Sequence, residues 1–320
     1  MARTLTGIAA SVGLAVAGCI GSVSVAQAAD RVTVHEGDFT GNLISCQLLS
    51  NILEDEMGYR VKRAALATGP TMWAAVSGGD IDVACENWPS YTPHSATYIV
   101  EQGGDGTVTF LGEMGVVGSS GYYVPRYILE GDADRGIEAV AVGLSSHEQL
   151  NEYVDVFKTL ESGDKGQLLG CPVPAWVCQD QDRIDGLGLN FTATELGSET
   201  AHFAEVQAAY KRGEPFIAYA WEPHWVHAEM DLVEIALPTP TADNWPASDW
   251  PDDLAFNFGN TEFVEENPDV AALFRNQNLS NADQSKMIYE VEVNGRDLGE
   301  VVQEWMDANQ DVWRAWIPNS

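Results

Sequence analysis

Positive charge is what this 320-residue chain has least of: 16 Lys and Arg stand against 48 Asp and Glu, a net charge of −32. So few cations exclude a nucleic-acid backbone or an anionic membrane surface as a partner, because the field of the chain repels phosphate. The motifs of common catalysis are missing as well. There is no G-x-S-x-G elbow, no P-loop and no Gly-rich dinucleotide fingerprint. Repeats, long linkers and low-complexity tracts are also absent, so any lobes must be joined by crossing strands. What is present is an ordinary apolar content of 45%, and the acidity therefore does not signal disorder. A length of 320 suggests two lobes, since single cores stop growing at roughly 250–300 residues. Such acidity keeps a protein soluble where salt screens charge over about 8 Å or less, and it reads as the mark of a saline habitat.

The first thirty residues read as an address. Met1-Ala-Arg is followed by an uncharged apolar run over residues 5–25, then by Val25-Ala26-Gln27-Ala28, an A-x-A cleavage site. The run approaches the roughly 20 residues of a membrane anchor, but its Gly, Ala and Ser content favours a removed export signal. Val16-Ala17-Gly18-Cys19 has the form of a lipoprotein box, which would leave a lipidated Cys19. Cutting after Ala28 instead leaves a clean opening strand from Asp30, so a free periplasmic protein is the expectation. Four cysteines then remain: Cys46, Cys85, Cys171 and Cys178. An even number in an oxidising compartment implies disulfides. Cys171 and Cys178 flank a short proline-containing loop, leaving Cys46 for Cys85. A metal site is the competing reading, although the spacing of Cys171 and Cys178 is not that of zinc knuckles.

Beyond the signal, short β-rich runs alternate with helical segments, which predicts α/β lobes with mostly parallel sheets. Strands are expected over residues 31–35, 60–65 and 81–85. An amphipathic helix opens at Thr40 and closes at Gly58, carrying Leu43, Ile44, Leu48, Leu49, Ile52 and Leu53. Further helices are expected over 70–77, 199–212 and 268–276. The stretch from Asp297 to Trp316 places Leu298, Val301, Val302, Trp305 and Trp313 on one helical face. Residues 121–125 and 254–258 are candidate crossings between lobes.

Ten tryptophans are many for this length. Asn87-Trp88-Pro89 follows a strand, Trp176 lies between Cys171 and Cys178, and Trp221-Glu-Pro-His224-Trp225 follows the strand over 216–219. Loops beyond strand carboxyl ends are where α/β proteins place ligand sites. Tryptophan faces bind a methylated ammonium through the ring quadrupole with no hydrogen bond required. One such ring could equally be a core plug; three at strand exits point to a site.

These fragments resemble the periplasmic glycine betaine and choline binding proteins of ABC importers, over essentially the whole mature chain, including Glu265-Glu-Asn267-Pro268. The resemblance implies a type II periplasmic binding protein clamshell with two hinge strands. Lobe 1 would comprise residues 29–121 and 251–320, lobe 2 residues 122–250, and the signal peptide residues 1–28. It implies that Trp88 from one lobe and Trp176 and Trp221 from the other cage a trimethylammonium group. It also implies that a ligand carboxylate is held by Val177 and Cys178 N–H groups and, allowing a two-residue insertion, by His94. Choline binders of the family carry Trp-Thr-Asp where this chain has Phe39-Thr40-Gly41, which disfavours choline while Phe39 adds an aromatic wall. Glu86 beside the cage is unusual, and favours a ligand with a donor or a net positive charge; a solvated surface carboxylate is its bland alternative. Glycine betaine, proline betaine, carnitine, trimethylamine N-oxide and dimethylsulfoniopropionate all fit such a box. The expected partner is a membrane permease, the expected state a monomer, and no cofactor or metal is implied.

Other residues compete weakly. His224 and His227 lack a third metal ligand. Asp132-Ala-Asp134 and Gly103-Gly-Asp105-Gly lack the ligand ladder of a calcium loop. The rival function is an exported α/β enzyme acting on a small cation, with Glu86, His94 or His224 as acid–base groups.

Overall fold

The computed structural model describes residues 31–91 and 93–318 together with Met1, so the export signal and Cys19 lie outside the described residues. Among the described residues nine strands form the framework: β1 Arg31–Glu36, β2 Arg60–Ala65, β3 Val83–Asn87, β4 Val108–Pro125, β5 Gly166–Leu169, β6 Phe191–Thr194, β7 Ala218–Glu222, β8 Leu232–Glu234 and β9 Asp253–Asn260. They are ordered β2-β1-β3-β9-β4-β7-β5-β6, with β8 paired to β4. Parallel pairing joins β1 to β2 and β3 on one side, and β5 to β6 and β7 on the other. This is the α/β arrangement the sequence predicts, with helices supplying the crossovers.

Between the two parallel groups run β4 and β9, antiparallel to each other. β4 is 18 residues long. From Val108 to Gly118 it pairs with β9, and from Ser119 onward it pairs with β7 and then β8. A strand that changes partners midway must bend. Register shifts at Phe110/Glu113 and Glu113/Val117 provide the bend, and Gly112 and Gly115 there hold φ of 97° and 91°, where a side chain would be strained. The expected crossings at 121–125 and 254–258 fall within these two strands.

The helix Thr40–Asn51 is buried over most of its surface. It packs on β1 and β3 and beneath the helices Asn281–Glu292 and Leu298–Ala308. Ile44, Leu48 and Leu49 are inaccessible, and each such side chain contributes about 1.5–3 kcal/mol of burial. The sequence predicts one helix to Gly58; instead Ile52–Glu56 is a π turn, and Gly58 follows at φ 77°. The third strand lies two residues later than predicted, because Asp82 turns inward to accept the Thr33 N–H (2.6 Å) and β3 continues to pair with β9 at Asn87. The C-terminal segment is not one helix either. Asn309, whose side chain donates to the Trp305 carbonyl, separates Leu298–Ala308 from Gln310–Trp313, and Trp313 folds back to donate to the Met306 carbonyl.

Both expected disulfides are formed, Cys46–Cys85 across 39 residues and Cys171–Cys178 across 7. Chain-entropy arithmetic gives about 4 kcal/mol for the first and about 2 kcal/mol for the second. Denaturant titration of the two double cysteine-to-alanine variants is therefore expected to show the larger loss of stability for C46A/C85A. Equal losses would mean that unfolded-state entropy does not govern either link.

Candidate functional site

A cavity is walled by Phe39, Thr68, Glu86, Trp88, Tyr91, Trp176, Tyr219 and Trp221. The loops after β1 and β2 supply Phe39 and Thr68, strand β3 supplies Glu86, and the turn after it supplies Trp88 and Tyr91. The disulfide loop after β5 and strand β7 supply the rest. Successive ring centroids run Phe39–Trp176 5.5 Å, Trp176–Trp221 5.7 Å, Trp221–Tyr219 5.6 Å, Tyr219–Tyr91 6.3 Å and Tyr91–Trp88 6.3 Å. The contacts are edge-on or tilted, the geometry aromatic quadrupoles prefer, and they fix each ring against its neighbour. All six rings are at most 8% exposed.

Local structure explains each placement. Phe39 is extended, with φ −137° and ψ 151°, and ends its loop at the start of the helix Thr40–Asn51. Trp88 leans on β4 at Gly118, where an added Cβ would overlap its ring, so only glycine leaves room for it. Trp176 stands in a loop anchored at both ends. Asp180 accepts from the Cys171 N–H (2.7 Å) and from the Tyr122 hydroxyl. Fully buried Arg183 donates to the Cys178 carbonyl (2.9 Å) and the Ser248 carbonyl (2.7 Å), its guanidinium 3.5 Å above the Trp250 ring. Burial raises the Asp180 pKa, opposed by those hydrogen bonds and by Arg183.

Glu86 is 1% exposed and holds φ 55°, unusual for a non-glycine residue, at the register break of β3. Local strain of that kind is retained where the surroundings over-determine it. Its carboxylate accepts from Ser45 Oγ (2.5 Å), Gln284 Nε2 (2.6 Å) and Trp88 Nε1 (3.3 Å). Burial drives its pKa up to about 7; those hydrogen bonds oppose the rise and the charge of Glu199 adds to it. Among the described residues, neither Lys, Arg nor His lines the cavity. The Thr68 hydroxyl, also in the wall, is buried with no hydrogen-bond partner.

Among the site residues expected from sequence, Phe39, Glu86, Trp88, Trp176 and Trp221 are in the wall. His94, Val177, Cys178 and Trp225 are not. The residues after Trp88 form the tight turn Pro89–Tyr91, which brings Tyr91 to the wall and leaves His94 capping the turn Ser95–Tyr98. Trp176 is the wall residue of its loop, while half-buried Val177 lies outside the lining and Cys178 is taken up by the disulfide and by Arg183. Trp225 packs behind the cage on Phe203 and His224. Sequence reasoning missed Thr68, Tyr91 and Tyr219. Only the proline-rich turn after Trp88 hinted at Tyr91.

The weaker metal candidates have other employment. His224 faces Glu199 and His227 faces the Trp221 carbonyl. Asp132 binds the Arg135 N–H and Asp105 caps Thr107. Among the described residues the one metal-like cluster is Cys171, Cys178 and Asp180, whose sulfurs are in the disulfide.

A carboxyl whose pKa rises from 4.5 to about 7 on folding holds its proton longer in the folded state. It therefore favours folding below pH 4.5, and that contribution is lost as pH rises to 7. The stability of the parent relative to Glu86→Gln is expected to fall over that window by roughly 3 kcal/mol. Denaturant titrations at pH 4.5 and 7.5 measure it; parallel curves would show that Glu86 titrates normally.

The family described as the substrate-binding domain of ABC-type glycine betaine transport systems matches residues 30–308. The glycine betaine-binding periplasmic protein OusX of Dickeya dadantii is 24% identical over 89% of this chain and 86% of its own. The trimethylamine N-oxide-binding protein of Pelagibacter ubique is 24% identical over 90% and 92%. In fold, the chain is similar to an ABC-transporter choline binding protein solved with choline, with a TM-score of 0.70 at 19% identity over 89% of this chain and 91% of the other. With a family match over most of its length, this chain belongs to the substrate-binding domains of ABC-type glycine betaine transport systems.

Proposed function

We propose that this chain captures a small onium osmolyte between two lobes, residues 29–121 with 251–320 and residues 122–250, and delivers it unchanged to a membrane permease. The observation that carries the reading is the wall itself: six buried aromatic rings and one buried carboxylate, with no basic side chain among them. Aromatic faces and an anion compensate a methylated cation for its lost water, and neither needs a donor from the ligand. Export by a cleaved signal over residues 1–28 and action as a monomer complete the reading, in keeping with the periplasmic relatives.

The same wall narrows the ligand. A betaine carboxylate would meet Glu86, with neither His94 nor the Val177 and Cys178 amides in the lining to receive it. An onium compound without a carboxylate meets no such conflict. The oxygen of trimethylamine N-oxide can accept from protonated Glu86 and from the Thr68 hydroxyl. Choline lacks here the aspartate expected to hold its hydroxyl, a position occupied by Gly41, but can balance its charge against ionised Glu86. A Glu86 pKa of about 7 leaves both forms accessible.

Calorimetric titration against the N-oxide, choline, glycine betaine, carnitine and dimethylsulfoniopropionate tests this. The first two are expected to bind most tightly, choline more tightly as pH rises through 7 and the N-oxide less. Trp88→Ala and Trp221→Ala are expected to weaken binding about thirtyfold or more, since a desolvated cation–π contact contributes about 2 kcal/mol. Phe39→Ala should cost less, its smaller ring having the weaker quadrupole. Parental affinity in both tryptophan variants would remove the cage.

A further inference from the structure

The rings that wall the cavity are nearly inaccessible, so no ligand passes in or out unless the two lobes part. Whatever holds the lobes together then governs release. Several hydrogen bonds cross between them. Trp176 Nε1 donates to Asp38 (3.2 Å) and the Tyr219 hydroxyl to that of Tyr91 (2.8 Å), but these are made by cage rings or their neighbours. The Tyr289 hydroxyl donates to Glu229 (2.6 Å) on the exposed surface, where water competes. Apart from the β4–β7 ladder at the crossing itself, one crossing bond among the described residues is both buried and outside the cavity wall: the Thr40 N–H donates to Glu199 Oε2 at 2.9 Å.

Its chemistry is strong. Thr40 and Glu199 each open a helix, Thr40–Asn51 and Glu199–Arg212, so one carboxylate lies at the positive ends of two helix dipoles belonging to opposite lobes. The other oxygen, Oε1, faces His224 Nε2 at 3.0 Å. Because His224 Nδ1 accepts from the Val226 N–H (3.3 Å), Nε2 carries the hydrogen and donates it to Glu199. The Phe203 ring, stacked on the imidazole at 4.1 Å, fixes that orientation. Burial lowers the His224 pKa to about 3, so the imidazole stays neutral and adds no competing charge. Of these two Glu199 contacts, opening the lobes breaks the one to Thr40, because Glu199 and His224 travel together.

Resting on the capture reading above, we propose that Glu199, oriented by His224, is the latch between the lobes and sets how fast ligand is released rather than which ligand is chosen. Burial raises the Glu199 pKa to about 7, with hydrogen bonding to Thr40 opposing the rise and the charge of Asp38 adding to it. Above that pH the latch is a hydrogen bond to a buried charge, made only in the closed form, and it slows opening without touching the ligand. Stopped-flow tryptophan fluorescence at about pH 8, where Glu199 is ionised, measures both rates with trimethylamine N-oxide and with choline. Glu199→Gln is expected to speed dissociation of both probes by about tenfold or more, with association within about twofold of the parent. Thr40→Pro removes the same N–H from the other side. Proline is compatible with the first turn of a helix, and extended Phe39 suits the residue before it. Thr40→Val loses the hydroxyl but keeps the N–H, so release about tenfold faster in Thr40→Pro than in Thr40→Val isolates the latch. Parental release rates in both Glu199→Gln and Thr40→Pro would overturn it. So would a change confined to one probe, which would make Glu199 a ligand contact. A parent that binds neither probe would instead bring down the capture reading, and the latch with it.

Discussion

A charge surrounded by methyl groups cannot be hydrogen-bonded, and the rest of this structure follows from that constraint. Water solvates such a cation loosely through its dipoles, and a protein replaces it with aromatic faces and an opposing charge. Six rings in edge-on or tilted contact and the carboxylate of Glu86 meet that requirement around one cavity. The cost falls on Glu86, held without a cation at a strained backbone position and supported by Ser45, Gln284 and Trp88. Its raised pKa is the physical expression of that cost.

The fold places both halves of the wall within reach of each other. β4 hands its pairing from β9 to β7 at Gly118 and Ser119, and the glycine at that handover is also what leaves space for Trp88. Strand β7 carries Tyr219 and Trp221, two residues apart and hence on one face. The disulfide loop brings Trp176 across to Phe39, held by a network centred on Asp180 and Arg183. Arg183 over Trp250 shows the same chemistry turned inward: a buried cation settled on an indole face.

Much of this was legible in the sequence, for identifiable reasons. Trp88, Trp176 and Trp221 could be found because each stands at or beyond a strand end and two neighbour proline or cysteine. The cysteine pairs could be found because loop length and compartment leave few choices. Tyr219 could not, since an aromatic inside a strand reads as core whichever way it faces. Thr68 has no sequence signal at all. His94 lies outside the wall, where the turn Pro89–Tyr91 presents Tyr91 instead, a packing outcome and not a pattern. Glu199 looked like any acidic residue in a first helical turn, and only the arrival of Thr40 from 159 positions away gives it a role. In a chain with 48 carboxylates, burial alone distinguishes Glu86 and Glu199 from the solvated majority.

The central claim is that the cavity recognises positive charge and not merely a trimethyl shape. Carbon isosteres test it most directly: trimethylamine N-oxide against tert-butanol, and choline against 3,3-dimethylbutan-1-ol, each pair matched in size and titrated by calorimetry. The account predicts that the onium member of a pair binds at least about thirtyfold more tightly, the contribution of one desolvated cation–π contact. Equal affinity within either pair that binds would contradict it, leaving a hydrophobic pocket with no use for its aromatic faces or for Glu86.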